Sequence, residues 1–285
     1  MILQENYKLN NGVLIPKLGF GTWMIDNDSV VQTVKDALEL GYRHIDTAQA
    51  YENENGVGKA IRTSKIDRSE IFVTSKIAAE HKSYDAASMS IDDSLTELGL
   101  ETIDLMIIHA PQPWSEFRDG NYDSSNIEVW KALEDAYRQK KVRAIGVSNF
   151  KQHDLENILK NSNIKPMVNQ ILAHIANTPF DLIEYCEQNN VLVEAYSPVG
   201  HGELLKSEEL KAIAEKYQVS ISQLAIRYCL ELGLLPLPKS AKKAHIKNNS
   251  EMDFEILESD LEILKGFKQI QDYGESSHFP VFNKK

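Results

Sequence analysis

The chain has 285 residues, 42% of them apolar and 26% charged, with a formal net charge of −11 at pH 7. That size and balance suit one large α/β barrel, or two smaller domains, with a full apolar core. The acidic balance argues against DNA, RNA or an anionic membrane as a main partner, so an anionic ligand needs a locally basic pocket.

In chain order, YKLNNGVLIPKLG carries Asn-Gly at its centre and predicts a hairpin, expected to plug the N-terminal end of a barrel. Short apolar runs then recur: KLGFG from Lys17, YRHID from Tyr42, IFVTSK from Ile71 and IDLMIIH from Ile103. VRAIGVSN from Val142, PMVNQ from Pro166, VLVEAYS from Val191 and LLPLPKS from Leu234 continue the series. Between them lie stretches with apolar residues spaced three and four apart, which predicts amphipathic helices: VVQTVKDALELG, AASMSIDDSLTELG, IEVWKALEDAYRQ, DLENILKN, DLIEYCEQN and ELKAIAEKYQ. Eight strands joined by helices predict a parallel sheet closed as a (β/α)8 TIM barrel, a single domain over residues 1–285. The end, DYGESSHFPVFNKK, has no period and is expected to be an irregular tail. Its Phe279, Val281 and Phe282 either fold over the barrel mouth or fray.

Cys186 and Cys229 each sit in an apolar, helix-like context and read as buried free thiols of a reducing compartment. MILQENYKLNNG has no apolar run of signal length, so the expected location is cytoplasmic. The histidines lack ligand spacing, and no metal site is expected. His44, His81, His153, His174, His201 and His278 are read mostly as surface or packing residues.

Barrel active sites lie at the C-terminal strand ends. There the sequence places Asp46, Lys76, His109, Ser148-Asn149, Asn169-Gln170, Tyr196-Ser197 and Lys239-Ser240. So many polar groups at one mouth are costly to bury without a purpose. Tyr51 comes after Asp46 where a strand hands over to a helix. Its reference pKa of ~10 is high for proton transfer near neutrality. A lysine ammonium about 4 Å away would favour the phenolate by ~4 kcal/mol at an effective dielectric of ~20, before desolvation. Lys76 is that cation and Asp46 its anchor. Tyr51 is then a tuned acid, and His109 orients the oxygen that takes the proton. This is equipment for reducing a carbonyl, or oxidising an alcohol in reverse. The hydride has to come from elsewhere, a nicotinamide. GFGTWM and GVGKAI each lack the third small residue of a dinucleotide fingerprint and read as tight turns. The candidate seat is instead Ser148, Asn149 and Gln170 for the carboxamide, Tyr196 for stacking, and PKSAKKAHIKNN at a helix start for phosphate.

At this point the residues resemble the aldo-keto reductase family, over nearly the whole chain. GYRHIDTAQAYENENGVGKAI, LGLETIDLMIIHAPQP, GVSNF, VNQI, AYSP and LPKSAKKAHIKNN occur in that family's order. The branch looks most like bacterial diketogluconate reductases. The resemblance implies NADPH-dependent reduction of aldehydes and ketones, with NADH as a weaker alternative. It implies a catalytic set of Asp46, Tyr51, Lys76 and His109. It places Gly21, Thr22 and Trp23 beside the nicotinamide, with Ser197, Val199 and Gly200 on the pyrophosphate. Lys239, Ser240, His245, Asn248 and Asn249 face the adenosine end. It also implies a small-molecule carbonyl substrate and a monomer. Two departures matter. Where many relatives have aromatic walls, this chain has Ile77-Ala78 and His109-Ala110-Pro111, so Trp114 or Phe117 fills the gap or the pocket is wider. An Arg common in the family is His245, and an imidazole with a reference pKa of ~6.5 is mostly neutral at pH 7. A modest NADP(H) preference that strengthens as pH falls is therefore expected.

Two rival readings stay open. Glu52, Glu54 and Asp46 near one mouth would suit a glycoside hydrolase if two carboxylates faced each other, although Glu52 and Glu54 also suit a helix start. The barrel could also serve as a nicotinamide-binding sensor or partner subunit without turnover.

Overall fold

The computed structural model describes residues 1–283. Strands β1 (Asn6–Lys8) and β2 (Leu14–Pro16) pair antiparallel, with Tyr7 opposite Ile15. Their turn closes through Leu9 N–H to Val13 O at 2.9 Å, with Gly12 left-handed at φ 89°. This is a three-residue hairpin loop with glycine where a side chain would be strained. The turn asparagines dock the hairpin. Asn10 Nδ2 donates to Pro166 O (2.9 Å) and Asn190 O (3.1 Å), and Asn11 Nδ2 to Arg143 O (3.0 Å). Those carbonyls lie at the starts of barrel strands, so the hairpin covers the N-terminal end, as expected.

Eight parallel strands come next: β3 (Phe20–Gly21), β4 (His44–Asp46), β5 (Phe72–Ile77), β6 (Ile103–Ile108), β7 (Val142–Ser148), β8 (Val168–Leu172), β9 (Leu192–Tyr196) and β10 (Leu235–Leu237). Every residue of β5 and β6 is buried, as strands covered on both faces require. The chain returns through helices α1 (Asn27–Glu39), α2 (Glu54–Arg62), α3 (Tyr84–Leu98), α4 (Asp123–Arg138), α5 (Gln152–Asn161), α6 (Phe180–Gln188), α7 (Glu208–Lys216) and α8 (Ile221–Glu231). After β10 come α9 (Lys243–Asn248) and α10 (Glu258–Lys265). Local chemistry sets several ends. Asp26 accepts from Ser29 N–H at 2.9 Å to start α1, and left-handed Gly99 (φ 60°) stops α3. Helices α8 and α10 are not among those expected from the apolar spacing. Yet α8 opens with a reciprocal Ser220–Gln223 cap, in which Ser220 N–H donates to Gln223 Oε1 at 2.9 Å, a pattern visible in the sequence.

The barrel closes between β10 and β3. Gly19 N–H donates to Pro236 O at 3.1 Å and Gly21 N–H to Pro238 O at 3.0 Å. Proline has no N–H to return, so this seam carries bonds in one direction only. The tail is irregular apart from 3-10 turns at Gly274–His278 and Pro280–Phe282; its last two residues lie outside the described ones.

Candidate active site

Strand alternation places His44 and Asp46 of β4, Thr74 and Lys76 of β5, Gln170 of β8, and Glu194 and Tyr196 of β9 on the inner face of the barrel. Lys76 is fully buried, and its Nζ donates to both Asp46 oxygens (2.8 and 2.7 Å) and to Thr47 O (2.8 Å). Burial pushes this ammonium's pKa down, but Asp46 and Tyr51 together outweigh it and hold the pKa above the usual lysine value. The ammonium lies 4.7 Å from the centroid of the Tyr51 ring. His109 stands edge-on to Tyr51, with ring centroids 5.6 Å apart. Burial, with Lys76 second, keeps the His109 imidazole well below its ordinary pKa, hence neutral at pH 7.

Tyr51 departs from the expectation drawn from charge alone. Lys76 does pull the phenol down. Burial pushes it up by more, and Asp46 adds to the rise, so the pKa stands above 10. The ammonium limits the rise rather than making the phenol acidic.

Asp46, Tyr51 and His109 floor one end of a cavity of about 860 Å³ that runs to Lys239, His245 and Asn249. Ser148, Asn149, Gln170 and the Tyr196 ring form one wall. Tyr196 O–H donates to Asn149 Oδ1 at 2.7 Å, and Asn149 Nδ2 to His109 O at 3.0 Å. Asn149 holds this position with a left-handed backbone (φ 62°). Trp23 and Trp114 flank the reacting end, Trp114 standing 5.1 Å from His109 with Phe117 packed behind it at 5.5 Å. Phe279 and Phe282 close over Trp23 at 4.9 and 6.1 Å, so the tail forms part of the cavity wall.

Gly21, Ser197, Val199, Lys239, Ser240, His245, Asn248 and Asn249 also line the cavity; Thr22 and Gly200 do not. Thr22 is buried, its N–H and hydroxyl both spent on Asp46 O. Gly200 is buried, its N–H bonded to Ser197 O at 2.8 Å. Asn248 is committed elsewhere, accepting from Ser220 Oγ (2.8 Å) and donating to Gln223 Oε1 (3.0 Å). The basic run is also thinner than its sequence suggests. Lys243 is tied to Asp36 (3.1 Å) and Glu39 (2.7 Å) of α1, and Lys247 pairs with Glu251 at 3.7 Å.

Glu52 and Glu54 lie outside the cavity wall, so neither faces Asp46 across the cavity. Glu54 is buried against the Ser75 hydroxyl instead. Among the described residues no three His, Cys, Asp or Glu converge as a metal site, and no helix is long and apolar enough to cross a membrane.

The sequence reading places His201 among surface or packing residues, but it lines the cavity. It contacts Ser197 Oγ through Nε2 and Ser276 Oγ through Nδ1, each at 3.1 Å. It also missed Ser220, Ser222 and Leu205 of the wall and Glu194 behind Gln170. Strand alternation marks Glu194, two residues before Tyr196; nothing in the sequence marks the loop path that carries His201 inward.

Fold and site together define a (β/α)8 barrel with a lysine–carboxylate–phenol cluster at its C-terminal mouth. The Aldo/keto reductase family pattern matches residues 17–268, and the chain belongs to that family. It is 39% identical to a Bacillus subtilis glyoxal reductase, over 95% of this chain and 96% of that one. It is 40% identical to a Trypanosoma cruzi 9,11-endoperoxide prostaglandin H2 reductase, over 89% and 88%. Among solved structures it superposes on an aldo/keto reductase from Brucella melitensis with a TM-score of 0.87 at 38% identity, covering 93% of this chain and 98% of that one. A Bombyx mori aldo-keto reductase in complex with NADP gives 0.86 at 32% identity, covering 98% of each. The protein is thus an NAD(P)H-dependent carbonyl oxidoreductase acting on a small-molecule carbonyl.

Proposed function

We propose that this protein reduces aldehyde or ketone groups of small metabolites to alcohols with NADPH, and that Tyr51 is the general acid. The observation that carries this reading is the buried Lys76 ammonium, held by Asp46 at 2.7–2.8 Å and 4.7 Å from the ring of Tyr51, with Asp46 and Tyr51 both lining an extended cavity.

The residues present suit a dinucleotide. Asp46 is the only carboxylate among the described lining residues, and the far end carries Lys239 and His245, a setting for phosphate rather than for a cation. Ser148, Asn149 and Gln170 would hold the carboxamide, Tyr196 would stack on the ring, and Ser197 with Val199 would meet the pyrophosphate. Bound reduced nicotinamide supplies the hydride.

Neutral His109 offers a ring N–H to the carbonyl oxygen and orients it. The Tyr51 hydroxyl gives its proton to that oxygen as negative charge builds there. Lys76 stabilises the phenolate left behind, and Asp46 keeps Lys76 in place. Trp23, Trp114, Phe279 and Phe282 keep water from the reacting atoms. A phenol held above 10 keeps its proton through the neutral range, which suits a donor to an alkoxide, a far stronger base.

The preference for NADPH over NADH rests on Lys239 and is modest without the family's arginine. We place the protein in a reducing cytoplasm as a monomer. Both cysteines are buried, with thiols pushed up to about 11 at Cys186 and about 12 at Cys229 by burial. The test is a carbonyl panel with NADPH, tracked at the nicotinamide absorbance. Glyoxal belongs in it because the Bacillus relative is named for that substrate. Tyr51→Phe should lose at least about a hundredfold in turnover yet still bind cofactor. A retained rate would remove Tyr51 as the acid. Cofactor binding with no turnover on any carbonyl would favour the sensor reading.

A further inference from the structure

Glu194 stands directly behind Gln170. The two are Cα partners in the β8–β9 register, so their side chains share the inner face of the barrel. Gln170 Nε2 donates to Asp46 Oδ1 at 2.8 Å and to Glu194 Oε2 at 2.7 Å. A primary amide has two N–H bonds, and both are engaged by carboxyl oxygens. Asp46 is itself held by Lys76. Turning the amide over would set oxygen against oxygen at Asp46. Gln170 Oε1 accepts from no described residue, is not among the sealed polar atoms, and belongs to a side chain that lines the cavity.

We propose that Glu194 is a positioning residue for cofactor recognition: with Asp46 it fixes the Gln170 amide so that Oε1 faces the cavity as an acceptor. The site thereby selects a pyridine ring whose substituent carries an N–H. This rests on the carboxamide seat of the proposed function. Glu194 is fully buried and shielded from solvent. Burial, then the Asp46 charge, pushes its pKa up to about 8, so at neutral pH it supplies an acceptor oxygen without a second negative charge beside Asp46. Nearby His44 is neutral, pushed down to about 3 by burial and then Lys76. The 3.9 Å approach of His44 Nε2 to Glu194 Oε1 is therefore no ion pair. The groups facing Glu194 are thus Asp46, His44, Lys76 and Gln170, and Lys76 is consumed by Asp46.

The experiment compares binding, not turnover. Oxidised nicotinamide dinucleotide phosphate and its 3-acetylpyridine analogue differ by a methyl in place of the amide nitrogen. Each is titrated by fluorescence quenching at neutral pH against wild type, Glu194→Gln, Glu194→Met and Glu194→Thr. Wild type should prefer the carboxamide by about tenfold, the scale of one hydrogen bond. Glu194→Gln keeps an acceptor and should keep the preference. Met and Thr release one Gln170 N–H and should reduce the preference below about threefold, mainly through weaker carboxamide binding. Thr accompanies Met in case the bulkier variant fails to fold, with melting curves to verify both. A wild type without the preference overturns the proposal. So do Met and Thr variants that retain it, or that weaken both ligands equally. If neither dinucleotide quenches any variant, the cofactor reading itself fails, a result distinct from equal binding of both.

Discussion

Tyr51 lies under two opposed influences, and their balance decides its pH behaviour. Burial raises the phenol and Lys76 lowers it, leaving it above 10. The acid should therefore stay loaded, and kcat for reduction should be level from about pH 6 to about pH 9. Alcohol oxidation, which needs the phenol to accept a proton, should rise across the same range. A reduction rate that halves near neutrality would contradict both the burial argument and the assignment. His245 gives a second prediction at this scale. A guanidinium there is always charged and forked, whereas imidazole is neither. His245→Arg should raise the NADPH/NADH ratio of kcat/KM by about tenfold, most at low salt. An unchanged ratio would place the 2′-phosphate away from α9. Both positions were legible in the sequence because each falls at a strand end or a helix start. The net sign at Tyr51 was not legible, since burial depends on distant side chains that pack around the ring.

Between β6 and α4 runs the 112–122 loop, which brings Trp114 against His109. Its anchor is Arg118, left-handed at φ 68°, whose guanidinium binds Asp154 at 2.9 Å and also the Asn149 carbonyl. Asp154 in turn accepts Lys151 N–H at 2.8 Å in the first turn of α5. The substrate-side loop and the Asn149 seat are thus clasped by one side chain. Arg118→Met should loosen the loop, raise KM for carbonyl substrates about five- to tenfold and shift Trp114 fluorescence, with a smaller change in kcat. If KM holds, Trp114 is placed by the loop's own packing. The strands were readable from their apolar runs and helix-length spacers. The loop was not, because Arg118 acquires its partners only when α5 and β7 are in place. The small residues at Ala78 and Ala110 left two outcomes open, an aromatic from this loop or a wider pocket; Trp114 stands against His109 with Phe117 packed on it.

At the scale of the whole barrel, the polar interior links stability to pH. Glu194 sits near 8 in the fold against an unfolded value of ~4.3. The native state then holds the extra proton, so this group's contribution is most favourable below the unfolded value and is lost as pH rises toward 8. His44 has the opposite sign. It is pushed down to about 3, so its contribution is full above ~6.5 and falls as pH drops below that. The two oppose each other in mild acid and leave Glu194 alone from about pH 6.5 to 8. Wild type should lose on the order of 2 kcal/mol relative to Glu194→Gln across that last interval, read as diverging denaturant midpoints. Parallel midpoints would mean that Glu194 is already ionised at neutral pH. The closed barrel itself was readable from the alternation of apolar runs and helices, and the hairpin from Asn-Gly. What the pattern could not convey was how the ring is joined. Pro236 and Pro238 lend oxygens to Gly19 and Gly21 and receive no N–H in return. Such a half-stitched join is where the cylinder should first part. The amides of Gly19 and Gly21 should take up deuterium ahead of those in β5 and β6. Since Gly21, Pro238 and Lys239 all border the cavity, a bound dinucleotide lying across that line would act as a suture and slow the exchange.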